Sequence, residues 1–332
     1  MLNPQEVRSH EQRYRCFAVH NADYMCPVDR DAIPGLMAEG RAVWVDILAP
    51  NTADTVWLRK VFGFHALALS DLLNNNVRPK QERYGDQLFV VFGAVNLNPG
   101  ENLLDTINLN IFLTEQYVVT AHGRPLKSMG TILSSSACGP DWLTRGTDHV
   151  AYRLLDGIID EYVEVIDEME AIFDDLEYRV FDEWEPNMQE EIFRQKRRLT
   201  FLRKTIAPKR DALRELVYTP FPMIKPETQT HLRDVLDHVM RVADNVDSFR
   251  DLAGSLMDSH MLQVSNRMNE VMKLMSIIAT VMLPLSFLTG IFGMNFDRLP
   301  GLHSSYGFWV LVGFMVAMVS SMLWYFRRKD YL

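Results

Sequence analysis

The sequence predicts an α+β membrane protein: a cytosolic α/β domain, a long helical stalk and two transmembrane helices. Three observations carry that expectation. Residues 274–292 and 308–326 are two runs without a charged side chain, each about long enough to cross roughly 30 Å of hydrocarbon as a helix. From Glu227 to Phe292 the one proline is Pro284, so a helix nearly 100 Å long, at about 1.5 Å per residue, runs into the first span. Before residue 150, apolar runs with β-branched residues are separated by turn signals, the pattern of a self-contained α/β core.

At 332 residues the chain has room for about two domains. Charged residues make up 23%, and the mean hydropathy of −0.08 averages a polar body with an apolar tail. The formal net charge of −9 argues against nucleic acid as a partner. Cys16, Cys26 and Cys138 are far apart and in no CxxC pair, as expected in a reducing compartment. The first residues lack an apolar signal region, which keeps the body in the cytosol. Arg267 and Lys273 precede the first span, and Arg327, Arg328 and Lys329 follow the second. The positive-inside rule then puts both termini in the cytoplasm and the connecting loop outside.

In chain order, strands are expected at Cys16–His20, Ala42–Ile47, Gln87–Val95, Asn108–Leu113 and Gln116–Ala121, the last two as a hairpin across Thr114 and Glu115. Thr52–Phe62, capped by Asn51, and Ala66–Leu73 read as helices. No Gly-rich phosphate loop, HExxH or GxSxG is present, so the body carries no catalytic constellation. From Asp148 to Ile192 the chain turns helical and acidic, with Asp156, Asp160, Glu161, Glu164, Asp167 and Glu168 close together. This is either a solvated face or a surface that gathers cations. Past Pro186 a basic helix containing Arg198, Arg203, Lys204 and Lys209 reads as its antiparallel mate, held by packing because surface ion pairs contribute under about 1 kcal/mol each.

On the long helix, Leu232, Val235, Val239, Val242, Val246, Phe249, Leu252 and Leu256 step by threes and fours. That stripe implies a bundle of copies. Further along, Asn269, Met272, Ser276, Ala279, Leu283, Ser286 and Gly290 make a mild, uncharged face, which serves either ordinary helix packing or a pore wall. Neither span holds Asp, Glu or His. Neutral oxygens at Asn269 and Asn295 suit a hard cation that keeps its water shell, as Mg²⁺ does. The expected divisions are 1–147 for the cytosolic α/β domain, 148–225 for the helical hairpin and 226–292 for the stalk with the first span. Residues 293–307 form the outer loop, 308–326 the second span and 327–332 a basic tail.

Gly293-Met294-Asn295 directly after the first span, together with RDVLDHVMRVADNVDSFRDL (233–252), NEVMKLMSIIATVMLPLSFLTGIFGMNF (269–296) and LLNNNVRPK (72–80), resembles the CorA family of divalent-cation channels along nearly the whole chain. The resemblance implies a homopentameric funnel in the cell inner membrane that takes up Mg²⁺, with Co²⁺ and Ni²⁺ as further cargo. It needs no organic cofactor and is not an enzyme. Gly293, Met294 and Asn295 would form the selectivity motif. Asn269, Met272, Met275, Leu283 and Ser286 would line the pore, with the methionines and Leu283 as an apolar gate. Regulatory Mg²⁺ would bind between subunits at Asp71 and Asp234, with Asp258 near the foot of the pore, and low cytosolic Mg²⁺ would open the channel. The family's outer-loop Glu is replaced here by Gly301, which weakens capture of the cation outside the pore. A branch resembling the ZntB zinc transporters, which move Zn²⁺ with protons, is the alternative. A membrane-anchored sensor is a more distant one.

Overall fold

The computed structural model describes residues 13–20, 24–74, 77–98, 103–130, 142–182, 187–294 and 306–329. The chain forms two compact units, Met1–Leu256 and Met257–Leu332. In the first, seven strands make one sheet: β1 Tyr14–His20, β2 Tyr24–Pro27, β3 Val43–Leu48, β4 Lys80–Tyr84, β5 Gln87–Asn98, β6 Leu103–Leu113 and β7 Tyr117–His122, in the order β2-β1-β3-β7-β6-β5-β4. Only β3 and β7 pair in parallel. Every residue of β7 is buried, as a strand covered on both faces requires.

Alternation along β5 divides the body into layers. Phe89 and Val91 join a core with Leu58, Phe62, Phe64 and Leu72 from helices α1 Ile33–Ala38, α2 Thr52–Phe62 and α3 Ala66–Leu72 and the segments between them. Within it the Phe64 and Phe112 rings stack with centroids 3.9 Å apart. Leu88 and Val90 face the other way. They meet α5 Thr147–Asp182, which follows the short α4 Trp142–Arg145, and α6 Met188–Tyr218 through Leu155 and Leu216. Asn51 caps α2 with a reciprocal capping box to Asp54, and Gly63 ends it in the left-handed region at φ 69°. Four buried polar side chains cross the sheet centre. Trp44 donates to Thr120 (3.1 Å), Thr120 donates to Asp46 (2.7 Å), and His122 lies 3.3 Å from Asp46.

The two edge strands, β2 and β4, have no counterpart among the expected strands, and β6 begins at Leu103 rather than Asn108. The acidic and basic helices do meet as α5 and α6, where Lys209 lies 4.7 Å from the Tyr162 ring, and each buries its apolar residues, Ile158 and Ile166 on α5, Leu199 and Leu202 on α6. Arg198 reaches Glu168 at 3.3 Å, whereas Arg203 turns to Asp247 at 3.0 Å on the next helix.

That helix, α7 Pro226–Phe292, corrects one expectation. Leu232, Val235, Val239, Val242, Val246 and Leu256 are all buried within this single chain, and Phe249 stacks on Phe173 of α5 at 5.4 Å. The stripe is satisfied by the chain's own body, so it does not call for copies. Among the described residues, the densest run of exposed apolar side chains lies in the second unit. There α7 from Met257 and α8 Gly307–Arg328 are both long and apolar enough to cross a membrane. Leu283 is 71% exposed, Phe287 67% and Trp309 70%. Ser276, Thr280 and Thr289 close their hydroxyls on carbonyls of their own helix, at 2.8, 2.7 and 3.1 Å. No hydroxyl among these three needs water, which suits an apolar surrounding.

Candidate ion path and cation-binding groups

Asn269, Met272, Met275, Leu283 and Ser286 all lie on α7 and are exposed. At about 100° per residue they occupy one face roughly 120° wide. Gly293 follows the helix end and donates its N–H to the Thr289 carbonyl at 2.9 Å. A Cβ at Gly293 would sit 2.9 Å from that same oxygen, so only glycine lets the chain leave the helix this way without shifting it. Met294 is 50% exposed. Asn295 and the outer loop to residue 305, including Gly301, lie outside the described residues.

The three acidic residues expected at regulatory sites have different surroundings. Asp71, at the end of α3, is held by Lys80 at 2.7 Å, and Lys80 also reaches Glu82 at 2.8 Å. Burial alone would lower the Lys80 pKa, but its hydrogen bonds to Asp71 and Glu82 raise it. A cation at Asp71 would therefore compete with an ammonium already on its Oδ2. Asp234 is 73% exposed, with His238 3.9 Å away one turn on. Asp258 is exposed and belongs to the second unit.

The structure adds a group that the sequence reading passed over. Asp156 and Asp160 of α5 meet His238 of α7, with one ligand atom from each lying within 4.8 Å of the others. Arg153 also holds Asp156, at 3.0 Å. Burial, then the charge of Asp160, pushes the Asp156 pKa up, so the pair is under electrostatic stress that a divalent cation would relieve. The donor set fits such an ion. Two carboxylates and waters suit Mg²⁺, and the imidazole makes the set better still for Co²⁺, Ni²⁺ or Zn²⁺. The signal in the sequence was the i,i+4 spacing of Asp156 and Asp160, hidden among many other acids.

A body of sheet and helices followed in the chain by two exposed helices long and apolar enough to cross a membrane is the architecture of a membrane-inserted protein. Residues 39–328 match the profile described as CorA-like Mg²⁺ transporter protein, and the chain belongs to that family of divalent-cation transporters. It is 33% identical over 288 residues to the putative metal ion transporter YfjQ of Bacillus subtilis, covering 87% of this chain and 89% of that one. It is 32% identical over 301 residues to the cobalt/magnesium transport protein CorA of Thermotoga maritima, covering 87% and 83%. The complete structure of the CorA magnesium transporter from Methanocaldococcus jannaschii superposes with a TM-score of 0.82 at 22% identity, over 96% of this chain and 99% of that one, which shows the fold. The zinc transport protein ZntB of Yersinia pseudotuberculosis is 25% identical over 290 residues, covering 87% and 86%.

Proposed function

We propose that the chain forms a homopentameric channel in the cell inner membrane that admits Mg²⁺, and with it Co²⁺ and Ni²⁺, and that cytosolic Mg²⁺ closes it. Both termini and the body lie in the cytoplasm. The observation that carries this reading is the face of α7 bearing Asn269, Met272, Met275, Leu283 and Ser286. It is uncharged, exposed in the single chain, and ends at the constrained Gly293. Copies ringed with this face inward would give a hydrated ion a path that asks for no dehydration, with Asn295 at the outer mouth. Asp71, Asp234 and Asp258 would hold regulatory Mg²⁺, joined by Asp156, Asp160 and His238. Empty, Asp156 and Asp160 repel; filled, their group ties α5 to α7 and the closed state is favoured.

The second reading, Zn²⁺ carried with protons, draws on the imidazole of His238 in that group and on Gly301 in the outer loop. Uptake by sealed proteoliposomes of Mg²⁺, Co²⁺, Ni²⁺ and Zn²⁺, with and without a pH gradient, separates the two. A channel gives Mg²⁺ and Co²⁺ uptake indifferent to the gradient, inhibited by internal Mg²⁺ and abolished in Asn295→Ala. Gradient-dependent Zn²⁺ uptake alone would replace it with the second reading.

A further inference from the structure

A cavity of about 950 Å³ lies in the body between α6 and the end of the sheet formed by β4, β5 and β6. Arg78, Lys80, Lys204 and Lys209 line it, against the carboxylates of Asp211 and Glu215. Lys80 is engaged by Asp71 and Glu82. Asp211 accepts from Arg210 at 3.3 Å, and Glu215 accepts from Gln81. Arg78 and Lys204 are exposed and have no carboxylate partner among the described residues. In a chain of net charge −9, this cavity is left with unspent positive charge.

Its innermost residue is the unusual one. Lys209 is 1% exposed, donates to the Thr205 carbonyl at 2.6 Å, and holds its Nζ 4.7 Å from the Tyr162 ring centroid. It stands at an apolar position of α6, in step with Leu199, Leu202, Ile206, Leu213 and Leu216, all buried. A leucine or methionine would fill that position without the cost of desolvating an amine. Opposite, Gly93 leaves room: a Cβ there would come 3.5 Å from the Lys209 Nζ and 3.4 Å from Asn108 Oδ1.

We propose that this cavity binds a phosphate-bearing organic anion of nucleotide size, with Lys209 at its floor and Arg78 and Lys204 at its mouth as phosphate partners. Pockets of roughly 300–1,000 Å³ hold ligands of that size, and a bare phosphate would leave most of the space to water. Arg78 offers the paired N–H geometry that phosphate oxygens accept, and Thr106 and Asn108 add uncharged polar groups to the wall.

Binding brings a proton with it. Burial pushes the Lys209 pKa down to about 7, and an anion beside it restores the charged form. The charged and titratable groups against Lys209 or sharing its cavity are Tyr162 on α5, Lys204, Asp211 and Glu215 on α6, and Arg78 and Lys80 at β4; β5 and β6 contribute uncharged Gly93, Thr106 and Asn108. None of the other protein groups ordinarily titrates near neutrality, while the ligand's terminal phosphate gains its second charge at about pH 6 alike in every variant, so the share of the pH dependence that belongs to Lys209 is the part a Lys209 variant lacks.

The test is calorimetry on the full-length protein in detergent, free of divalent metal, with ADP as the probe and pyrophosphate and inorganic phosphate as comparison arms. Measured relative to Lys209→Met, which cancels the ionisation of ADP itself, the parent should bind ADP about tenfold tighter near pH 6 than near pH 8.5. Lys209→Met should keep only the pH dependence of the ADP phosphate, and Arg78→Ala, at an exposed residue that leaves folding alone, should weaken binding by about tenfold. No ADP binding, or binding unchanged by both variants, overturns the assignment. Pyrophosphate or phosphate binding as tightly as ADP overturns the organic, nucleotide-sized ligand. None of these readouts depends on which ion the protein carries.

Discussion

Replacing Lys209 by methionine tests how much stability the body gives up to keep an amine in its core. The folded-state pKa of about 7 lies below the ordinary 10.5 of the unfolded chain. Between those values the unfolded state holds a proton that the folded state lacks, so native stability rises with pH across this window and the cost is greatest at pH 7 and below. The gap, at about 1.4 kcal/mol per pH unit, comes to roughly 5 kcal/mol. Methionine forgoes the hydrogen bond to Thr205 and the contact with the Tyr162 ring, about 1 kcal/mol each. The variant should therefore be about 3 kcal/mol more stable near pH 7, a rise in melting temperature on the order of 6–12 °C. By pH 10.5 the advantage should be gone. Melts of the full-length protein in detergent, followed by circular dichroism without phosphate or nucleotide, give the comparison directly. A difference that does not change with pH, or a variant less stable at pH 7, would refute the argument that desolvation dominates at Lys209.

His122 should show the opposite sign. Burial lowers its pKa, but the hydrogen bond and charge of Asp46 outweigh that and raise it. Its contribution is thus complete below about 6.5 and lost as pH rises through the raised value, so melts of His122→Gln against the parent should differ more at pH 5.5–6 than at pH 8. Phe173→Ala removes a fully buried ring stacked on Phe249 and should cost about 3–5 kcal/mol in urea unfolding; a loss under about 1 kcal/mol would mean that α7 is not anchored to α5 by this contact. Adding Co²⁺ at about a hundred times its Kd should stabilise the parent by about 2.7 kcal/mol, and Asp156→Asn should lose most of that gain while melting no lower without metal. Gly293→Ala, whose Cβ would press on the Thr289 carbonyl, should still assemble but conduct poorly in the liposome assay; undiminished uptake would show that the helix end tolerates the side chain.

The spans, the central strands and the Asn51 cap were legible because each is a local pattern: an uncharged run, an apolar alternation, a side chain placed for the first turn of a helix. The edge strands were not. β4 reads KQERY, and a strand paired on one side only needs no apolar signature; β2 is four residues long and ends in Pro27. The stripe on α7 was visible, but a stripe does not say what covers it, and here α5 and α6 do. Lys209 was read as one more cation of a basic helix, although its register with Leu199, Leu202 and Ile206 marked it as a core position. The group formed by Asp156, Asp160 and His238 joins residues nearly eighty positions apart, which spacing within one helix cannot reveal. At Gly293, which the resemblance singled out, the structure adds a steric reason for glycine.

The burial of Leu232 to Leu256 against the chain's own helices bears on how the protein is made. Synthesis runs from the N-terminus, and domains tend to close as units when they emerge. Every described strand and both mates of α7's first half precede it in the chain, so that half meets finished partners as it leaves the ribosome. Among the described residues, the exposed apolar side chains crowd from Met261 onward, which places the main aggregation hazard in the short interval before these last helices reach lipid.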